Sequence, residues 1–305
     1  MDKSLTLNPN MKSKKGFALI LTLSVLAVIM SLTMVLLSYF DEVRQDATDT
    51  KALIQADLYY TNIVNTFNKF KNKQTLFDVL YKSPLPLVSP DGKFKLMLNC
   101  QPMNKGININ WLGLQSSIKD VKKYQIAQDI FSKLVQSYKV VDGTRLFEMI
   151  LEEMGKSEDI YSKDNRQRLQ KKKSIVSYLQ FSDIISRYQF EVDDTNINSI
   201  PWKQYFSFFP KADKINIEYS STALISLLFD IDITIVNEWY STIEERVPLS
   251  VMVNDNGGNY KEFSTILNSK SSGATNCNIN YSVAGKYYKF KFDYIEGEAR
   301  YFEFF

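Results

Sequence analysis

The sequence predicts an α+β protein organised by one long N-terminal helix. Three observations carry this reading. Residues Phe17 to Phe40 are uncharged and mostly apolar, a helical pattern fills 117–210, and alternating segments close the chain over 277–305. With 45% hydrophobic and 23% charged residues among 305, the balance is that of a globular chain. Beyond the apolar run about 265 residues remain, enough for one large or two modest domains.

Lys12, Lys14 and Lys15 lead into Gly16, where the apolar run begins. The run of about 24 residues spans about 36 Å as a helix, enough to cross a bilayer core of about 30 Å with some tilt. Lys3, Lys12, Lys14 and Lys15 precede it against one acid, Asp2; Asp41, Glu42, Arg44 and Asp46 follow it. Positive charge stays on the cytoplasmic side, so the N-terminus is expected inside and everything after Phe40 outside. A removable secretory signal has an apolar core of only about 7–15 residues and a small-x-small cleavage site. Ser38-Tyr39-Phe40-Asp41 offers no such site. An uncleaved anchor is the plainer alternative.

Lys14-Lys15-Gly16-Phe17, followed by the unbroken apolar helix, resembles the N-terminus of type IV prepilins and of the pseudopilins of type II secretion. The resemblance implies that residues 1–16 are a leader. It also implies that a membrane-embedded prepilin peptidase cuts between Gly16 and Phe17 on the cytoplasmic face, and that Phe17 is then N-methylated. Glycine suits such a site because it has no side chain to obstruct a protease and breaks a helix locally. Most of these families carry Glu at the fifth mature position, where this chain has Leu21. A carboxylate in hydrocarbon is costly and is kept for a task, here pairing with a neighbour's N-terminus during assembly. The large K-type minor pseudopilin characteristically lacks that Glu and sits at the filament tip, so Leu21 narrows the match.

The chain has no histidine, which excludes imidazole-based triads and His-ligated zinc. No spacing isolates a carboxylate, Lys, Ser or Tyr set, so the sequence argues against an enzyme. A net charge of +3 is too small to imply a polyanionic partner. Lys171-Lys172-Lys173, near Arg166 and Arg168, lacks interleaved aromatics and reads as a solvated helix face or a linker, so no nucleic-acid partner is expected.

Past the membrane run, Leu53, Ala56, Tyr60, Ile63, Phe67 and Phe70 recur at helical spacing, so the helix is expected to continue to about Asn72. Pro84, Pro86 and Pro90 interrupt the chain, and Asp91-Gly92 forms a turn. Lys93 to Gln101 and Gly106 to Trp111 alternate and read as a β-hairpin. Helices are expected over Val121–Tyr138, Thr144–Met154, Arg166–Ser186 and Pro201–Phe208. Alternation returns over Lys214–Ser221. Ser220 or Ser221 can cap a helix over Thr222–Phe229, with another over Ile233–Ile243. Strands are expected over Phe263–Leu267, Cys277–Val283, Lys286–Tyr294 and Ala299–Phe305, the last two pairing around Glu296-Gly297-Glu298.

This order is similar to that of the K-type minor pseudopilin. That family places a long helix on an antiparallel sheet, the pseudopilin fold, and inserts an all-helical domain into it. Ile107 to Asn110 and Ile215 to Leu228 correspond to its two "I-N" stretches, although Glu218-Tyr219 stands where Asn-Thr is commoner. The implied organisation is a leader (1–16), a transmembrane helix (17–40), the pseudopilin helix and first strands (41–111), an inserted helical domain (112–213) and the returning α/β region (214–305). The implied partners are the I- and J-type minor pseudopilins and the major pseudopilin, met through the N-terminal helix, together with prepilin peptidase and the bacterial inner membrane. The C-terminal domain is placed in the periplasm.

Cys100 and Cys277 fall on the expected outer side, where disulfides persist. Cys100 is readable as a small core residue or as the partner of Cys277. The family resemblance admits calcium in the sheet-proximal region. Asp255, Asn256, Asn259 and Glu262 supply suitable oxygens but match no calcium motif, so they read as a polar turn and no metal ligand is assigned. The rival readings are a minor pilin of a type IV pilus or competence system, and an uncleaved membrane-anchored periplasmic binding or sensor protein.

Overall fold

A computed structural model of the chain describes residues 13–88, 95–155, 174–242, 246–268 and 273–305. Lys12, the Asp91-Gly92 turn and the basic run at 166–173 lie outside these. The described residues fall into two units: those up to Thr61 together with Ser282–Tyr288, and Asn62–Tyr281 together with Lys289–Phe305.

Helix α1 runs without interruption over Ser13–Lys69. Its buried face is Ala52, Ala56, Ile63 and Phe67, spaced at whole helical turns, whereas Leu53 and Phe70 are exposed. The expected stripe is therefore displaced by about one residue at its start. The helix also stops short of Asn72, because the Asn72 side chain accepts from the Thr75 amide and caps α2, Lys73–Lys82.

The main sheet has the order β1-β2-β5-β6-β7, with β1 Leu85–Val88, β2 Lys95–Pro102, β5 Ala274–Val283, β6 Lys286–Ile295 and β7 Glu298–Phe304. Two-residue turns join the last three strands. Ala284-Gly285 and Glu296-Gly297 both hold positive φ, the backbone that matches strand twist in tight hairpins. The end of α1 is locked to α2 and β6 by rings: Phe67 lies 5.5 Å from Phe77 and 5.3 Å from Tyr294, both edge-on. The buried Tyr294 hydroxyl donates to Asn68 Oδ1 at 2.6 Å and accepts from Lys73 Nζ at 2.9 Å.

Between β2 and β5 the chain builds a helical body: α3 Val121–Ser137, α4 Gly143–Glu153, α5 Tyr178–Val192, α6 Trp202–Tyr205, α7 Thr222–Phe229, α8 Ile233–Ser241, α9 Leu249–Asp255 and α10 Tyr260–Phe263. One buried apolar cluster extends from Ile107 to Leu267, so it runs across both 111 and 213, where the sequence suggested boundaries. Trp202 sits near its middle, 5.2 Å from Phe181 and 6.1 Å from Phe131.

The structure corrects several expected elements. The hairpin ending at Trp111 does not form. Only Ile107–Asn108 is a strand, β3, and it pairs in parallel with β4, Phe206–Ser207; a 3₁₀ helix follows over Ile109–Leu114. The asparagines cause the change. Asn108 donates to Pro210 O and Ala212 O and accepts from the Asn110 amide, while Asn110 exchanges hydrogen bonds with both backbone groups of Ile175. At 214–221 only Ile215 bridges, to Leu267, before a 3₁₀ turn over Ile217–Tyr219.

Helix α5 starts at Tyr178, because Ser177 Oγ accepts from the Gln180 amide and Gln180 Oε1 from the Val176 amide, a capping pair. The helix expected over 201–208 is cut short by β4. Phe263 ends a short helix capped by Asn259 and does not open a strand.

Candidate functional site

Every residue from Phe17 to Phe40 is exposed along α1. Among the described residues this is the one helix long and apolar enough to cross a membrane, with a mean hydropathy of 2.6 in its most apolar window. Three of its hydroxyls bond within the helix, as a hydrocarbon surrounding favours: Thr22 Oγ1 donates to Leu19 O, Ser24 Oγ to Ile20 O and Thr33 Oγ1 to Ile29 O, all within 3.0 Å.

Gly16 lies inside α1 and not at a break, which corrects the expectation of a local interruption. Phe17 is 70% exposed and Leu21 projects outward among the other apolar residues of the run.

Beyond the apolar run, α1 carries a polar anchor that sequence reasoning missed. Asp49 Oδ1 accepts from the Tyr288 hydroxyl at 2.6 Å, and Lys286 Nζ stands 3.8 Å from the same oxygen. The Asp49 carboxylate holds the Tyr288 proton and pushes the phenol up to about 12. Asp49 and Tyr288 are 239 residues apart, so no local pattern announces the pair.

Cys100 and Cys277 are fully buried and joined by a disulfide between β2 and β5. The stretch weighed for calcium is occupied by local structure: Asn254 Oδ1 accepts from the Tyr260 amide and Asn259 Oδ1 from the Glu262 amide. Among the described residues, no three His, Cys, Asp or Glu side chains are grouped to hold a metal. The buried acids serve the fold. Glu153 accepts from Arg187 and Gln180, and Asp194 from the Val141 and Asn196 amides.

No known family model matches this sequence, and no curated protein matches it.

Proposed function

We propose that the chain is a structural minor pseudopilin of the K type, cleaved between Gly16 and Phe17, methylated at Phe17 and held in the inner membrane by residues 17–40. It stands at the tip of a type II secretion pseudopilus, where it initiates or caps the filament for protein export. One observation supports this above the others: the exposed apolar run Phe17–Phe40 continues in the same unbroken helix to Lys69, and that second half buries a stripe of Ala52, Ala56, Ile63 and Phe67. A simple anchor needs no such rod.

The mechanism is packing and steric exclusion, with no bond made or broken by this protein. The apolar half of α1 lies beside the helices of the I- and J-type minor pseudopilins and the major pseudopilin. Leu21 lacks the carboxylate that pairs with a neighbour's N-terminus, which disfavours addition on top of an existing subunit. The helical body hinders any subunit from adding above.

A minor pilin of a type IV pilus or competence machine shares the processing; Leu21 and the helical body between β2 and β5 favour the secretion tip. Photo-cross-linking from position 28 in native membranes discriminates the readings. Cross-links to I- and J-type helices are expected. Cross-links confined to type IV pilin subunits move the chain to that machine, and an uncleaved chain with no helical partner makes it an anchored binding protein.

A further inference from the structure

A cleft of about 270 Å³ opens in the body between α2, the 3₁₀ turn at Ile217–Tyr219, α8 and the start of α9. One wall is Tyr81 set edge-on against Tyr219, with ring centres 5.1 Å apart. The other is Trp239 and Tyr240, with Arg246 lying 4.0 Å from the Trp239 ring centre and 5.3 Å from that of Tyr240. Trp239 is itself fixed, because its Nε1 donates to Val247 O at 2.8 Å.

Arg246 is the informative residue. It is half-buried and stacked, and it spends one donor on the Glu218 carbonyl at 3.3 Å. It makes no ion pair among the described residues, although a guanidinium carries five N–H donors in a fixed fork matched to a carboxylate. Aromatic rings around a partly desolvated arginine are the composition of protein-recognition hot spots.

We propose that this cleft binds a segment of a partner polypeptide carrying a carboxylate next to an aromatic side chain. The carboxylate sits on the free edge of Arg246, and the ring enters between the Tyr81–Tyr219 and Trp239–Tyr240 walls. Local charge selects a single anion over a polyanion. Lys82 and Arg246 are offset by Glu218, which lines the cleft, and by Asp78, whose charge reaches the Tyr219 hydroxyl. A nucleotide phosphate chain would bring several negative charges against Glu218; one Asp or Glu side chain is matched by Arg246. The cleft lies in the body and not on the apolar run, so it stands or falls independently of cleavage after Gly16.

The test is calorimetric titration of the detergent-solubilised full chain with the peptides acetyl-Phe-Glu-Phe-amide and acetyl-Phe-Gln-Phe-amide. Saturable binding is expected, with the Glu peptide at least about tenfold tighter, as a charge-assisted fork contact requires. Arg246→Gln erases that preference, and Arg246→Lys, which keeps the charge but not the fork, loses most of it. Tyr240→Ala, at an exposed rim position, weakens both peptides equally. Equal affinity for the two peptides, or a preference that survives Arg246→Gln, overturns the proposal. So does inorganic phosphate binding more tightly than the Glu peptide, which makes the cleft a general anion site.

Discussion

Cys100 and Cys277 face each other across β2 and β5 with their Cα atoms 4.1 Å apart, and their disulfide spans 177 residues of sequence. The chain leaves the sheet at Pro102 to build the helical body and returns at Ala274. The bond therefore pins the exit and re-entry points of that body to adjacent strands. Tying so long a loop removes unfolded-state entropy worth about 5 kcal/mol in a chain-entropy estimate, with measured disulfides at about 2–5. The Cys100→Ala, Cys277→Ala double variant is expected to lose stability on that scale, read as a lower denaturant midpoint. An unchanged midpoint contradicts a structural role for the bond.

Gly106 lies where β3 passes β4. A Cβ built there meets the Phe206 carbonyl carbon at 2.7 Å and the Ser207 nitrogen at 2.8 Å, both backbone atoms that cannot swing aside. Gly106→Ala must separate the strands and is expected to cost about 1–3 kcal/mol, the range for overpacking. Urea unfolding of the purified body measures it, and a loss below the experimental error contradicts the close approach.

Ser221 Oγ accepts from the Leu224 amide at 3.0 Å and donates to Gln204 O at 2.6 Å. It thus caps α7 and ties it to α6. Ser221→Ala removes both bonds and is expected to destabilise by about 1–2 kcal/mol; Ser221→Asp, which keeps the cap acceptor, recovers part of that. Ser220 bonds Asn216 O instead, so Ser220→Ala leaves the α7 N-terminus intact by amide exchange.

The bond between Asp49 and Tyr288 predicts a pH dependence. The phenol is pushed up to about 12 in the fold, so folding favours its neutral form. Its stabilising contribution is complete below the ordinary tyrosine value of about 10 and is lost as pH rises through about 12. Asp49→Asn lowers the Tyr288 titration toward the ordinary value. Carbon-13 NMR of labelled tyrosine, assigned with Tyr288→Phe, reads the midpoint directly; a midpoint unmoved by Asp49→Asn contradicts the pairing.

The elements legible in the sequence are those whose cause is local. The apolar run marks α1, the Ser220-Ser221 pair marks the start of α7, and the Glu296-Gly297 turn sets β6 against β7. The alternating stretches at 106–111 and 214–221 misled because period-two hydrophobicity carries no information about hydrogen-bond partners. Asn108 and Asn110 satisfy distant backbone groups with their side chains and turn the chain into a 3₁₀ helix. The anchor at Asp49 and the cleft at Arg246 were illegible for a different reason. Each joins residues from separate segments, and only the fold brings them together.

The central claim is that α1 begins, in the mature protein, at Phe17. Intact mass and N-terminal sequencing of the membrane-extracted chain, with and without active prepilin peptidase, test it most directly. A chain beginning at N-methylated Phe17 only when the peptidase is active is the predicted result. A chain still beginning at Met1 while the peptidase is active contradicts the pseudopilin account.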